Sequence, residues 1–289
     1  MKKKILLFIA LFTMVFMTGC GKEQEELKPI DILEKTVQSL SDVKSLEVVA
    51  TAKAKVVEEG TSVEINIPLS VAVSETKDEM DMKISLGDNP FIGSLEAYFI
   101  ADTQNKKIDL YFPSSLYDMI LGVESEESKW LFTTTTLEEN EDLEETISEE
   151  DLNKIKSIDY KKVIGDNFVY VDNDEGINHY QLIINNDLIQ RLATELGEET
   201  ESFEEEIKLD VYIDATNYNL TKISADLKEL LTSNTTEEEQ ETFNNIEEFT
   251  FTMEFKNVNN TTVTISEDVK NNAIELEQYT NDILESMED

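Results

Sequence analysis

Ser45-Leu-Glu-Val-Val-Ala-Thr-Ala-Lys-Ala-Lys-Val-Val57 is the stretch on which the fold turns. Leu46, Val48, Ala50, Ala52, Ala54 and Val56 share one phase, and Glu47, Thr51, Lys53 and Lys55 occupy the other. A period of two belongs to a half-buried β-strand. Glu58-Glu59-Gly60 supplies a turn. Val63, Ile65, Ile67, Leu69, Val71 and Val73 then repeat the pattern, with Glu64, Asn66 and Ser70 opposite. Long strands with one apolar face each, joined by a short turn, predict an antiparallel sheet. Pro68 has no N–H for the ladder, which predicts an edge or a bulge there.

Further along the chain the strand rhythm persists. Met80 to Leu86, Leu95 to Ala101 and Lys107 to Phe112 read as three more strands, and their short connections predict a meander. Ser115-Leu-Tyr-Asp118 resembles a capping box opening a short helix that Gly122 ends. Trp130-Leu-Phe132 reads as a brief strand. Thr133 to Ile147 is rich in Thr and Glu and reads as an exposed loop, as does Ser233 to Glu241. Ser148-Glu-Glu-Asp151 opens a second short helix. Strands resume at Ile158 to Ile164, Phe168 to Val171 and Ile177 to Ile184. Asn186 or Asp187 caps an amphipathic helix carrying Leu188, Leu192 and Leu196, which Gly197 ends. Three regular strands follow: Ile207 to Ile213, Leu220 to Leu230 and Phe249 to Phe255. Val263 and Ile265 make one more. Glu267 to Asp289 reads as a polar tail, partly helical.

Before Ser45, Pro29 opens a helix in which Ile30, Leu33, Val37 and Leu40 form one stripe. Ahead of it lies a secretory signal: Lys2, Lys3 and Lys4, then the almost unbroken apolar run Ile5 to Met17. Met17-Thr18-Gly19-Cys20 resembles a bacterial lipobox. That resemblance implies cleavage before Cys20 and diacylation of its sulfur; the alternative is an ordinary signal peptide beside a chance cysteine. Cys20 is the sole cysteine, so no internal disulfide can form. The expected organisation is a lipoprotein signal peptide at 1–19, an anchor and tether at 20–28, a single β-rich domain at 29–266 and the tail at 267–289. The expected location is the extracytoplasmic face of the cell membrane.

The chain has 289 residues and a formal charge of −39, with 63 acids against 24 bases. It offers no basic patch to nucleic acid or to anionic headgroups, which excludes both as partners. Its 40% hydrophobic content still supports a folded core. His179 is the only histidine, so it cannot build a multi-histidine metal site. No GxSxG motif or P-loop is present. Asp172-Asn-Asp-Glu-Gly176 places its glycine one position early for a calcium loop, and Ile183 stands where the closing acid belongs, so it reads as a hairpin turn. No catalytic set, metal site or cofactor is expected.

The order of elements resembles the lipoprotein-carrier superfamily that includes the LolA, LolB, LppX and LprG types, in the form of a small uncharacterised Firmicute lipoprotein. The resemblance runs from Pro29 to Ile265. It rests on the lipobox, the Pro29 helix, the Ser45 strand and its partners, Gly176-Ile-Asn-His-Tyr-Gln-Leu-Ile-Ile184 before the Leu188 helix, and Glu206-Ile-Lys-Leu-Asp-Val-Tyr-Ile-Asp-Ala215 with Leu220-Thr-Lys-Ile223. It implies a mainly β protein with α elements (α+β): a curved antiparallel sheet forming an incomplete barrel wrapped around short helices, LolA-like. It also implies a non-enzymatic protein that binds a lipid or other hydrophobic molecule in the concavity. The residues expected to line that cavity are Val48, Ala50, Ala52, Ala54, Ile65, Ile67, Leu69, Leu209, Val211, Ile213, Phe251, Met253 and Phe255, all in the apolar phase of alternating strands. The same pattern suits a packed core, in which case the protein is an envelope scaffold presenting an acidic face to a protein partner. The weaker third reading is an enzyme acting on peptidoglycan or lipid.

Overall fold

A computed structural model describes residues 27–58, 61–76, 78–89, 93–102, 104–123, 128–136, 158–198, 200, 206–228 and 245–288. The signal segment, Cys20, the helix expected at Ser148–Asp151 and the stretches 137–147 and 233–241 lie outside these residues.

Twelve strands form one sheet. They are β1 (Ser45–Glu58), β2 (Thr61–Glu75), β3 (Glu79–Asn89), β4 (Gly93–Asp102), β5 (Lys107–Pro113), β6 (Trp130–Thr136), β7 (Phe168–Asp174), β8 (Ile177–Ile184), β9 (Ile207–Asp214), β10 (Leu220–Asp226), β11 (Ile246–Lys256) and β12 (Ile274–Glu275). Their order is β12-β6-β5-β4-β3-β2-β1-β11-β10-β9-β8-β7. The fold is therefore mixed α+β on a large, mostly antiparallel sheet, the one parallel pair being β6 with β12. The incomplete barrel expected from the sequence is not formed. The outermost strands β7 and β12 are not paired with each other, so the sheet is not closed. Closure needs edge strands that meet in a shared stagger, and the alternation within each strand does not specify that.

Among the described residues the α-helices are α1 (Pro29–Ser41), α2 (Ser114–Leu121), α3 (Tyr160–Ile164), α4 (Asn186–Leu196), α5 (Glu267–Asn272) and α6 (Leu276–Glu288). The chain divides into two compact units. Unit 1 is Met1–Val43, Ala50–Asn66 and Thr146–Phe255; unit 2 is Lys44–Val49, Ile67–Glu145 and Lys256–Asp289.

In unit 1 the apolar core is contributed by one face of β7–β11 and by helices. Val211 stands opposite both Tyr180 and Ile223, and Ile223 opposite Met253, so these four share a face. The helices supply Leu33 and Val37 from α1 and Leu188 and Leu192 from α4, all buried. Asn185 caps α4 by accepting from the Leu188 N–H (3.0 Å), one residue earlier than expected, and Gly197 ends the helix in the left-handed region as expected (φ 71°). Tyr160–Ile164, expected in a strand, is helical. Asp159 caps it through the Lys162 N–H at 3.1 Å, a local bond that competes with extended pairing.

Unit 2 packs both faces of its strands. On one face Tyr98 is buried with Val263, Ile265 and Val269. Val263 and Ile265, expected as a strand, are buried without strand pairing, and the Val263 N–H donates to Ser74 Oγ (3.1 Å) instead. On the other face Phe112, Leu131 and Tyr279 form a second core with Leu116 and Tyr117 of α2 and Leu276 and Ile283 of α6. The segment expected as a polar tail is thus structured, with β12 bonded beside β6. Thr133 to Thr136, expected in a loop, continue β6 along β5. The Ser115 capping box does not form. Helix α2 starts at Ser114, its N-cap Pro113 offers no side-chain bond, and Ser114 Oγ accepts from the Lys129 N–H (3.0 Å). Pro68 lies in β2, between β1 and β3 and away from any edge. Its ring is accommodated by Gly87, where a Cβ would come within 2.7 Å of Pro68 Cγ.

Candidate functional site

The register of unit 2 aligns apolar side chains in rows across one face. Leu69, Leu86 and Leu95 form the first row, and Val71, Ile84 and Ala97 the second. Val73, Met82, Phe99 and Leu110 form the third, and Met80, Ala101 and Ile108 the fourth. No residue in these rows is buried, and Leu69 and Met80 are 37% and 43% exposed. No charged residue falls within the rows; Glu75, opposite Met80, stands at their end. The face becomes a closed core at Phe112 and Leu131 under α2 and α6, and Ala97 and Leu110 of the rows pack against that core. Apart from Leu69 and Met80 the rows are half-buried, so this face carries apolar surface that is only partly covered.

The reverse face differs. Lys83 pairs with Glu96 at 2.6 Å and Lys107 with Asp109 at 2.9 Å, and Thr134 Oγ1 donates to Asp109 (2.7 Å). Burial and the nearby Glu96 carboxylate push the Tyr98 hydroxyl pKa up. Burial, then Glu79, raises the Asp81 carboxyl.

The expected cavity residues are divided between the two units. The Glu75 N–H donates to the Lys44 carbonyl (2.8 Å), which counts Leu46 opposite Val73 and Val48 opposite Val71 along an antiparallel ladder. Val48, Ile67 and Leu69 thus share the phase of the half-exposed rows. Ala50, Ala52, Ala54 and Ile65 fall in unit 1 and are half-buried. There the Val57 N–H donates to the Asn245 carbonyl (2.7 Å), and Lys55 pairs with Glu247. Counted from that bond, Thr51 stands opposite Phe251, so the alanines project from the other side of the sheet. Val211, Ile213, Met253 and Phe255 are buried, and Leu209 and Phe251 half-buried. Reading the sequence strand by strand missed Met80, Met82, Ile84 and Phe99. The alternation of Met80, Met82, Ile84 and Leu86 was the available signal.

His179 lies on the face of unit 1 away from the core. Its Nε2 is 2.9 Å from Asp210 Oδ1, its Nδ1 is 3.5 Å from Asp172, and its ring stacks on Tyr212 at 4.5 Å. Gln181 also donates to Asp210 (3.1 Å). The two ring nitrogens face different carboxylates, an arrangement that ties β7, β8 and β9 together rather than converging on a ligand. A depression of about 340 Å³ on unit 1 is lined by Lys162, Asp187, Gln190, Arg191, Thr194 and Glu195. Arg191 is committed there, with Nε donating to the Val163 carbonyl (2.8 Å) and Nη2 to Asn167 (2.5 Å). Among the described residues no helix is long and apolar enough to cross a membrane, and no group of three His, Cys, Asp or Glu residues is placed to hold a metal.

No family model matches the sequence, and no curated protein does. Among solved structures, the chain is similar to the lipoprotein LppX of Mycobacterium tuberculosis, with 10% identity, a TM-score of 0.38, and 82% of this chain and 98% of that one covered. It is also similar to a DUF1329 family protein of Desulfovibrio piger, with 11% identity, a TM-score of 0.26, and 83% and 94% covered.

Proposed function

We propose that this protein is a non-enzymatic lipoprotein of the cell envelope that holds a lipid or other hydrophobic molecule against the open apolar face of unit 2. The uncharged rows running from Leu69 to Ile108, half-exposed on one side of β2–β5, carry this reading. Covering such side chains releases roughly 25 cal/mol per Å² of apolar surface. The absence of charge from the rows suits an apolar tail and leaves any polar headgroup in solvent. Residues 1–19 are the cleaved signal, Cys20 carries the anchor and 20–28 is the tether. Val48, Ile67 and Leu69 extend the site along its first strands.

Native mass spectrometry of Gly21–Asp289 before and after solvent extraction tests for a carried ligand, and Nile red binding measures the face directly. Ile84→Asp places a charge in the middle of the rows. It is expected to weaken dye binding about tenfold or more while lowering the free energy of denaturant unfolding by less than about 1 kcal/mol, as a substitution outside a packed core does. A loss of several kcal/mol with unchanged dye binding would identify the face as structural core.

A further inference from the structure

Helix α2 ends on Met119-Ile120-Leu121, whose side chains are 53%, 71% and 45% exposed. A single exposed apolar residue is ordinary; three in succession at a helix end form a patch that calls for a partner. The tip is held outward by a rigid support. Leu116 and Tyr117 pack into the core of Phe112 and Leu131, and the Tyr117 hydroxyl is 3.0 Å from Thr280 Oγ1. Asp118 is buried and accepts from the Tyr279 hydroxyl at 2.9 Å. Gly122, with φ 69°, closes the last turn through its own N–H and the bond from the Val123 N–H to the Asp118 carbonyl.

Charge narrows the partner. Helix α2 contains no lysine or arginine, and its one acid, Asp118, is buried, so the tip offers apolar surface and no ion pair. Glu124-Ser-Glu-Glu127 follows directly in the sequence, and the chain as a whole carries −39, so anionic surfaces are repelled. The tether Gly21–Lys28, fully extended, reaches no more than about 28 Å, which keeps the domain beside the bilayer that holds Cys20.

We infer that Met119, Ile120 and Leu121 insert shallowly into an uncharged or zwitterionic lipid surface. The inference rests on the lipid-anchor reading above. The acyl chains hold the protein at the membrane; the tip is a second contact, at interfacial depth, that orients the unit carrying it.

The test uses the mature, lipidated chain in phosphatidylcholine vesicles containing brominated acyl chains. Ile120→Cys introduces a thiol for an NBD dye, and Thr216→Cys, in the exposed turn after β9, is the reference. The expected result is blue-shifted, quenched emission at 120 and neither effect at 216. Leu121→Cys repeats the measurement with Ile120 intact. Equal quenching at 120 and 216, or none at 120 and 121, overturns the inference. So does quenching that rises when phosphatidylglycerol replaces half of the phosphatidylcholine, because that would report an electrostatic contact. Dye stoichiometry reports the anchor separately: one dye per chain if Cys20 is acylated, two if it is free. In the second case the anchor reading fails, and the comparison of 120 with 216 in the same vesicles still decides the tip.

Discussion

Tyr180 is 3% exposed, stacked on Phe168 at 4.9 Å and edge-on to Tyr170 at 5.6 Å. Burial first, then the neighbouring Tyr170 and Tyr218, pushes its hydroxyl pKa up to about 12 from 10.0. The folded state therefore holds this proton more tightly than the unfolded chain does. The associated stability is fully present below pH 10 and is lost as the pH rises toward 12. The share is on the order of 2–3 kcal/mol. Tyr180→Phe removes the ionising group, so its denaturant midpoint should fall less between pH 10 and 12 than that of the wild type. Equal declines would mean that Tyr180 titrates as in the unfolded chain. Gly87 makes a second residue-scale case. Gly87→Ala drives a Cβ to 2.7 Å from the Pro68 ring in neighbouring β2, and overpacking of this kind costs about 1–3 kcal/mol. Thermal unfolding of G87A beside a Pro68→Ala, Gly87→Ala double variant measures it, and the double variant should recover most of the loss. Pro68 was legible as an anomaly in a strand; its solution, a glycine opposite, lies in a register that spacing does not supply.

Among the elements, β12 and α6 departed most from expectation. Ile274, Leu276 and Tyr279 suggest a partly helical segment, but interspersed Glu, Asn and Asp make it read as a polar tail. In the fold Ile274 bonds beside Leu131, which is fully buried, and Tyr279 closes over Phe112. Deleting 274–289 should expose Leu131 and Phe112 together and abolish cooperative unfolding of unit 2, while Tyr180 of unit 1 keeps its protected amide. Hydrogen exchange resolves the two. Retained protection across β4–β6 in the truncated chain would show that α6 is dispensable. Thr133–Thr136 was misread for a related reason: four threonines carry no apolar phase, yet β-branched side chains suit a strand once β5 supplies a pairing partner.

At the scale of the whole molecule, the expected attachment rests on Cys20. Cys20→Ala should remove incorporation of a fatty-acid probe and leave an unlipidated precursor, checked by metabolic labelling and intact mass. Labelling of C20A as strong as that of wild type would reject the anchor. The residues expected to line one cavity are divided between the two units. Here the buried members of that set belong to the core of unit 1, and the half-exposed rows of unit 2 are left as the apolar surface.

The sequence by itself determined the class of the protein and most of its elements. A period of two identifies strands because successive side chains point to opposite faces, and that geometry is local. The strands from Ser45 to Phe112 and from Phe168 to Phe255, the stop of α2 at Gly122 and that of α4 at Gly197 were all readable for this reason. What only the tertiary structure decided was which alternating faces coincide. A shift of one residue in register exchanges the two sides of a strand without altering its own pattern. The bond between Val57 and Asn245 therefore places Ala50 and Phe251 on opposite sides of the sheet, although each sits in the apolar phase of its strand. Whether an apolar face is covered depends on elements distant in sequence. Val263 and Ile265 close one side of unit 2 and α6 part of the other, and Val71, Ile84 and Phe99 are left half-buried.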